Sequence, residues 1–206
     1  LTIIIVVYQV RAVVPMVMDG LIWMVLPCMT VAFNDTMAYI FGMLFGRKCV
    51  SLRSLTRRFF PYPLTPLSPN KSWEGFIGGG VASILIGEYM AYLFKIPHLY
   101  CPFNRPNCPV PSYYTLHHYA FPSWVVSLTG KSGIDLEPIY IHEFILALFA
   151  ALVAPFGGFF ASAIKRAYGM KDFNSLIPGH GGLMDRFDCQ FIMLYFTSMY
   201  YKTFIR

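Results

Sequence analysis

Charge is what this sequence has least of. Only 13% of its 206 residues are Asp, Glu, Lys or Arg, against ~25% in soluble domains. A soluble globule so poor in charge would have to cover itself with apolar surface and would aggregate. The same composition excludes intrinsic disorder. Carboxylates are the scarcest: ten, against sixteen Lys and Arg, for a net charge of +6. No basic stripe is interleaved with aromatics, so the positive balance does not read as nucleic-acid binding. It reads as loops facing anionic headgroups, or as a site for a phosphate-bearing substrate. The five cysteines contain no CxxC pair, which argues against a zinc site, and no Ser-His-Asp arrangement stands out. There is no initiator Met, and Leu1–Val7 opens inside an apolar run with no basic segment ahead of it. A signal peptide would carry one. The expectation is the C-terminal portion of a longer chain whose earlier spans precede Leu1.

What is abundant is apolar length. Residues of the AVILMFWYC set make up 56%, and mean hydropathy is +0.54. Apolar runs stand at 1–14, 20–33 continuing as 36–46 beyond an Asn-Asp interruption, 75–94 with Glu88 its only charge, 142–164 and 187–205. Since ~20 residues cross a bilayer, these predict an all-α, multi-pass membrane protein of about five to six hydrophobic helices. It reads as a single membrane-embedded domain over 1–206. Five aromatics from Tyr195 to Phe204 suggest an interfacial belt. Six basic residues and no acidic one lie between Arg47 and Lys71, and four basic residues between Lys165 and Arg186, whereas the stretch from Lys95 to Tyr140 holds three. The spans between put both basic loops on one face, and the positive-inside rule makes that face cytoplasmic. Residues 95–141 are then a non-cytoplasmic loop insertion, where Cys101 and Cys108 are placed to form a disulfide. His117-His118 in that loop reads as a solvated pair.

Three polar clusters break the apolar pattern. Asn34-Asp35-Thr36 reads either as a helix start with an N-cap or as a functional carboxylate at membrane depth, which is costly enough to need a reason. Ser68-Pro69-Asn70-Lys71-Ser72-Trp73-Glu74-Gly75 reads as a turn into a helix capped by Ser72, with Trp73 as an interfacial anchor. The same helix start, a Lys and two hydroxyls also suit a phosphate. The third cluster is the richest. Ser162, Lys165 and Arg166 are followed by Lys171-Asp172 and then by Pro178-Gly179-His180-Gly181-Gly182-Leu183-Met184-Asp185-Arg186-Phe187-Asp188. Gly-His-Gly-Gly lets backbone approach a ligand closely. Asp185 and Asp188, three apart, share a face if a helix begins there. Two carboxylates beside several cations suit Mg²⁺ carrying a polyphosphate.

On these residues the chain resembles the phosphatidate cytidylyltransferase (CDP-diacylglycerol synthase) family. Ser162-x-Ile164-Lys165-Arg166-x4-Lys171-Asp172-x5-Pro178-x-His180-Gly181-Gly182-Leu183-x-Asp185-Arg186-Phe187-Asp188 resembles its long signature. Asn34-Asp35-Thr36-x2-Tyr39-x2-Gly42-x3-Gly46-Arg47 and 68–75 are similar to two upstream motifs. Pro155-Phe156-Gly157-Gly158-Phe159-Phe160 and Phe187-Asp188-Cys189-Gln190 resemble the eukaryotic branch. There are departures. Asn174 stands where the family has a small residue, and Gly158 where bacterial relatives carry an Asp. The stretch from Cys49 to Pro66, with Arg53, Arg57 and Arg58, is longer than the family's usual link.

The resemblance implies transfer of the cytidylyl group of CTP to phosphatidic acid, giving CDP-diacylglycerol and pyrophosphate. It implies Mg²⁺, with room for a second cation, a homodimer and the endoplasmic reticulum membrane. Asp185 and Asp188 are the expected metal ligands, completed by Asp172 or Asp35. Lys165, Arg166, Lys171 and Arg186 are expected on phosphates, and the Gly179, Gly181 and Gly182 backbone around the triphosphate. His180 is either a phosphate contact or a loop brace. Asn34, Ser68, Lys71, Trp73 and Ser162 are expected to line the substrate. Two alternatives stay open: another CTP-dependent lipid kinase or phosphotransferase, and a multi-pass transporter. A transporter would distribute charges along its spans, whereas here they gather at span ends.

Overall fold

The computed structural model describes residues 2–48, 72–105, 107–169 and 184–206. In chain order these form α1 (Thr2–Asp19), α2 (Ile22–Phe41) with a π-helical extension (Gly42–Lys48), α3 (Trp73–Leu93) and α4 (Pro97–Tyr100). Then follow β1 (His117–Ala120), α5 (Ser123–Thr129), β2 (Gly133–Leu136), α6 (Pro138–Leu152), α7 (Ala154–Ala167) and α8 (Met184–Phe204). The all-α expectation holds for the bundle. The sole sheet among the described residues is the antiparallel hairpin β1–β2, which pairs His117 with Leu136 and Ala120 with Gly133 outside the bundle. Among the described residues three helical stretches are long and apolar enough to cross a membrane: Ile22–Phe45, Trp73–Leu93 and Pro138–Ala167.

The polar triplet Asn34-Asp35-Thr36 does not begin a helix. α2 runs through it unbroken, so the N-cap reading of Asn34 or Asp35 is wrong. Thr36 Oγ1 bonds back to Ala32 O at 2.8 Å, and Asn34 turns inward and donates from Nδ2 to Ala150 O at 3.3 Å. Ser72 does cap α3: its Oγ accepts from Gly75 N–H at 3.2 Å. The long apolar run toward Ile164 is broken at Val153. Pro155 supplies the cause, since its ring excludes a continuous helical hydrogen-bond ladder through the preceding turn.

Helices packing in lipid have little hydrophobic driving force toward each other and rely on close backbone approach. The seam of α2 with α3 shows it. A Cβ on Gly79 would lie 2.8 Å from Ala38 Cα, and one on Gly75 2.5 Å from Ala38 O.

One end of the bundle is plugged by aromatics. Buried Trp23, at the start of α2, meets Tyr113 (5.1 Å between centroids), Tyr201 (5.5 Å) and His142 (6.1 Å). Tyr201 OH donates to Asp19 Oδ2 at 3.1 Å. Burial pushes the Tyr113 phenol up to about 12, and that of Tyr114, donating to Ala91 O, higher still. The expected aromatic belt on α8 is therefore only partial. Phe196 stacks on Phe149, and Tyr200 and Tyr201 face inward, while Tyr195 and Phe204 stay exposed. Residues 95–137 cover this end. They hold the expected disulfide Cys101–Cys108 (Cα–Cα 5.6 Å) and an ion pair of Lys95 Nζ with Glu137 Oε1 at 2.6 Å.

Candidate active site

The opposite end collects the ends of four elements that are remote in sequence. α2 and its π-helical extension arrive there, and α3 starts there. α7 ends there, and α8 begins there. Residues 49–71 and 170–183, which make up most of the two loops counted as basic, lie outside the described residues; the residues that flank them, Lys48 and Ser72, and Gly169 and Met184, belong to or adjoin the elements that end or begin here. A π-helical segment is rare and tends to occur where helices serve function; here it carries the Gly42-x3-Gly46-Arg47 motif.

The contacts between these elements are backbone-close. Gly75 on α3 packs against Ala38 and Gly42. On α7, a Cβ at Gly157 would come within 2.7 Å of Asp188 O. The neighbouring Gly158 is buried in the same helix. Ser162 Oγ donates to Gly158 O at 2.7 Å, so it braces its own helix.

Asp35 on α2 and Asp188 on α8 share one neighbour, the buried Cys189 thiol. Asp188 Oδ1 accepts from Cys189 N–H at 2.7 Å, an orientation that turns one carboxylate oxygen to the α8 backbone. Lys165 and Arg166 occupy the last turn of α7, where cations complement the helix dipole. Lys165 is half-buried and Arg166 exposed. Trp73, at the first position of α3, meets Phe76 edge-on at 6.2 Å, and Glu74 sits in the same first turn. Asn34 is buried, and its Oδ1 has no partner among the described residues.

The expected site residues therefore divide. Asn34 and Asp35 lie on α2, Trp73 at the start of α3, Ser162, Lys165 and Arg166 in the second half of α7, and Asp188 near the start of α8. Asp185 and Arg186 fall in the first turn of α8, with side chains outside the described residues. Ser68, Lys71, Lys171, Asp172, Gly179, His180, Gly181 and Gly182 also lie outside them.

Among the described residues no group of three His, Cys, Asp or Glu side chains could hold a metal. The chemistry of the donors near Cys189, carboxylate oxygens from Asp35 and Asp188, is of the kind a hard divalent cation such as Mg²⁺ takes.

Sequence reasoning missed the polar ties inside the bundle. Thr30 Oγ1 lies 2.7 Å from Glu143 Oε1, and Gln190 Nε2 donates to Cys28 O at 3.0 Å. Glu143 carried a signal: a lone carboxyl within an apolar span is costly unless it has a task.

Comparison with known proteins bears on this arrangement. The model of the cytidylyltransferase family matches residues 1–204. Phosphatidate cytidylyltransferase 2 of Bos taurus is 40% identical over 214 residues, which cover 100% of this chain and 45% of the relative. Phosphatidate cytidylyltransferase 1 of Homo sapiens is 39% identical over 214 residues, covering 100% and 43%. Phosphatidate cytidylyltransferase 3 of Arabidopsis thaliana is 40% identical over 195 residues, covering 92% and 38%. The chain thus spans less than half the length of these relatives. The long apolar helices and these relatives together make it an integral membrane protein.

Proposed function

We propose that this chain, which belongs to the cytidylyltransferase family, transfers the cytidylyl group of CTP to phosphatidic acid, giving CDP-diacylglycerol and pyrophosphate. One arrangement supports the reading: motifs far apart in sequence meet at one end of the bundle, and Asp35 and Asp188 there share a neighbour in Cys189. A phosphate of phosphatidic acid, with a second pKa near ~6, is already largely ionised at neutral pH. Its oxygen can attack the α-phosphorus of CTP with no Ser, Cys or His nucleophile. One P–O bond forms, the bond from the α-phosphorus to the bridging oxygen breaks, and pyrophosphate leaves with that oxygen and its electron pair.

The difficulty is bringing two polyanions together, and that is a matter of positioning and charge. Lys165 and Arg166 at the end of α7 would hold phosphate oxygens. Asp35 and Asp188, with Asp172 and Asp185, would hold Mg²⁺. A bound Mg²⁺ neutralises phosphate charge and orients the triphosphate. Asn34, Ser162 and the Trp73 ring would orient the substrates, and Arg186, Lys171 and the Gly179–Gly182 run would close around the triphosphate, with His180 bonding a phosphate or bracing the loop. Ser68 and Lys71 would form the other wall. The site faces the cytoplasm on this reading, because the basic runs counted from Arg47 to Lys71 and from Lys165 to Arg186 adjoin the elements that form it. The endoplasmic reticulum membrane and a homodimer follow from the same family resemblance.

The test is incubation of the purified protein with CTP, phosphatidic acid and Mg²⁺, with lipid products separated by chromatography. A cytidine-bearing lipid is expected. Its absence under conditions where the protein is folded refutes the assignment.

A further inference from the structure

Glu143 is fully buried in α6, one turn of α2 away from Asn34. Among the described residues its Oε1 has one hydrogen-bonding partner, Thr30 Oγ1 at 2.7 Å, and Oε2 has none. Thr30 Oγ1 also lies 2.9 Å from Leu26 O. A hydroxyl carries one proton and can serve only one of these two oxygens. If Glu143 were ionised it would take that proton. It would then remain an anion with one donor and an unsatisfied second oxygen, in surroundings where an unpaired charge is very costly.

Among the described residues no cation offsets it. α2 contributes no charged group between Ile22 and Asn34. α3 contributes Glu88, a second carboxyl, and α6 contributes His142, whose Nδ1 faces Tyr200 OH of α8 at 2.9 Å. Opposite, on α3, Gly87 leaves the space that Glu143 fills; a Cβ there would run into Oε1. If Glu143 instead keeps its proton, all the donors are used. Oε1–H donates to Thr30 Oγ1, Thr30 O–H donates to Leu26 C=O, and the one atom left over is a carbonyl oxygen. Such a chain is cooperative in a low dielectric.

We propose that Glu143 is a positioning residue, a neutral acid whose bond to Thr30 locks α6 to α2 and so fixes the rotation and depth of Asn34-Asp35, one turn further along α2. Thr30 and Asn34 are four residues apart and share a helix face. Asn34 makes the second tie, to Ala150 O of the same partner helix.

The test uses the full chain in lipid nanodiscs as wild type, Glu143→Gln, Glu143→Leu and Thr30→Val. Infrared spectroscopy of the wild type should show the carbonyl stretch of a protonated, hydrogen-bonded carboxyl. The stretch should be absent in Glu143→Gln and shifted in Thr30→Val. In Glu143→Gln, an amide N–H replaces the acid proton and the tie survives; in Glu143→Leu the volume survives and the tie does not. An Asp35→Cys background, labelled with a charged maleimide and counted against the parent's own thiols, reports the rotation of α2. Its rate should change severalfold with Glu143→Leu and stay unchanged with Glu143→Gln.

The activity arm rests on the proposed reaction. Cytidylyl transfer should persist in Glu143→Gln and fall ~10–100-fold in Glu143→Leu, the cost of a misplacement of about 1 Å. A Glu143 carboxylate band in the wild type, or Gln as disruptive as Leu in the labelling rates, overturns the proposal. Absence of transfer in every variant, wild type included, refutes the reaction instead and leaves the spectrum and the labelling to judge Glu143.

Discussion

Substituting Gly75 by Ala probes the seam that sets the two walls of the site. The added Cβ would stand 2.5 Å from Ala38 O, 3.1 Å from Gly42 Cα and 3.2 Å from Gly42 N. All three are backbone atoms of α2 and its extension, so no side chain can swing aside. Ordinary contact starts at 3.4 Å, so α2 and α3 must part by about 1 Å, a displacement that costs an aligned site ~10²-fold in rate. Overpacking costs ~1–3 kcal/mol, while Ala in place of Gly in a helix returns about 1 kcal/mol. A net loss on the order of 1 kcal/mol corresponds to a melting temperature lower by ~2–4 °C for a chain of this size. Gly80→Ala is the control. Its Cβ would meet Ala151 Cβ at 3.3 Å, a contact that a few tenths of an ångström relieve, so it keeps the helix gain and melts at or above the parent temperature. Thermal unfolding in detergent and steady-state cytidylyl transfer from labelled CTP measure both quantities. If Gly75→Ala melts like Gly80→Ala and turns over at the parent rate, the seam is not tight and the reasoning fails.

Asp188→Asn and Asp35→Asn should each lower transfer ~10²–10³-fold at saturating Mg²⁺ with little change in melting temperature, because each removes charge and not volume. A near-normal rate in either would remove that carboxylate from the site. Replacing both Cys101 and Cys108 by Ser should lower thermal stability by about 2 kcal/mol, the loop being short, with transfer unchanged because the bridge lies at the other end of the bundle. Non-reducing peptide mapping checks the bridge in the parent.

The helices were legible where composition repeats itself. Apolar runs marked the long helices, and Ser72 followed by Trp73-Glu74-Gly75 marked the start of α3, because capping is a local interaction. The polar triplet at Asn34 misled, since it looks like a boundary. Asn34 instead sits within the helix and finds its partner in Ala150, more than a hundred residues away. The inward packing of Phe196 and Tyr201 was hidden for the same reason: an aromatic at a helix end suits either a membrane interface or a plug around Trp23. At the site, residue types and spacing named Asp35 and Asp188 separately, but their nearness to one thiol arises from how α2 and α8 pack, with Gly157 letting the α8 backbone come close. Glu143 was visible as a charge in an apolar run, and its partner Thr30 was not.

The reaction itself is tested most directly by following two labels of CTP in parallel incubations with phosphatidic acid and Mg²⁺. Label on the α-phosphorus should appear in the organic-extractable lipid, and label on the γ-phosphorus in water-soluble pyrophosphate. γ-label in the lipid would instead mean that the enzyme phosphorylates its acceptor, and label in neither product would mean that it does not use CTP; either result contradicts cytidylyl transfer.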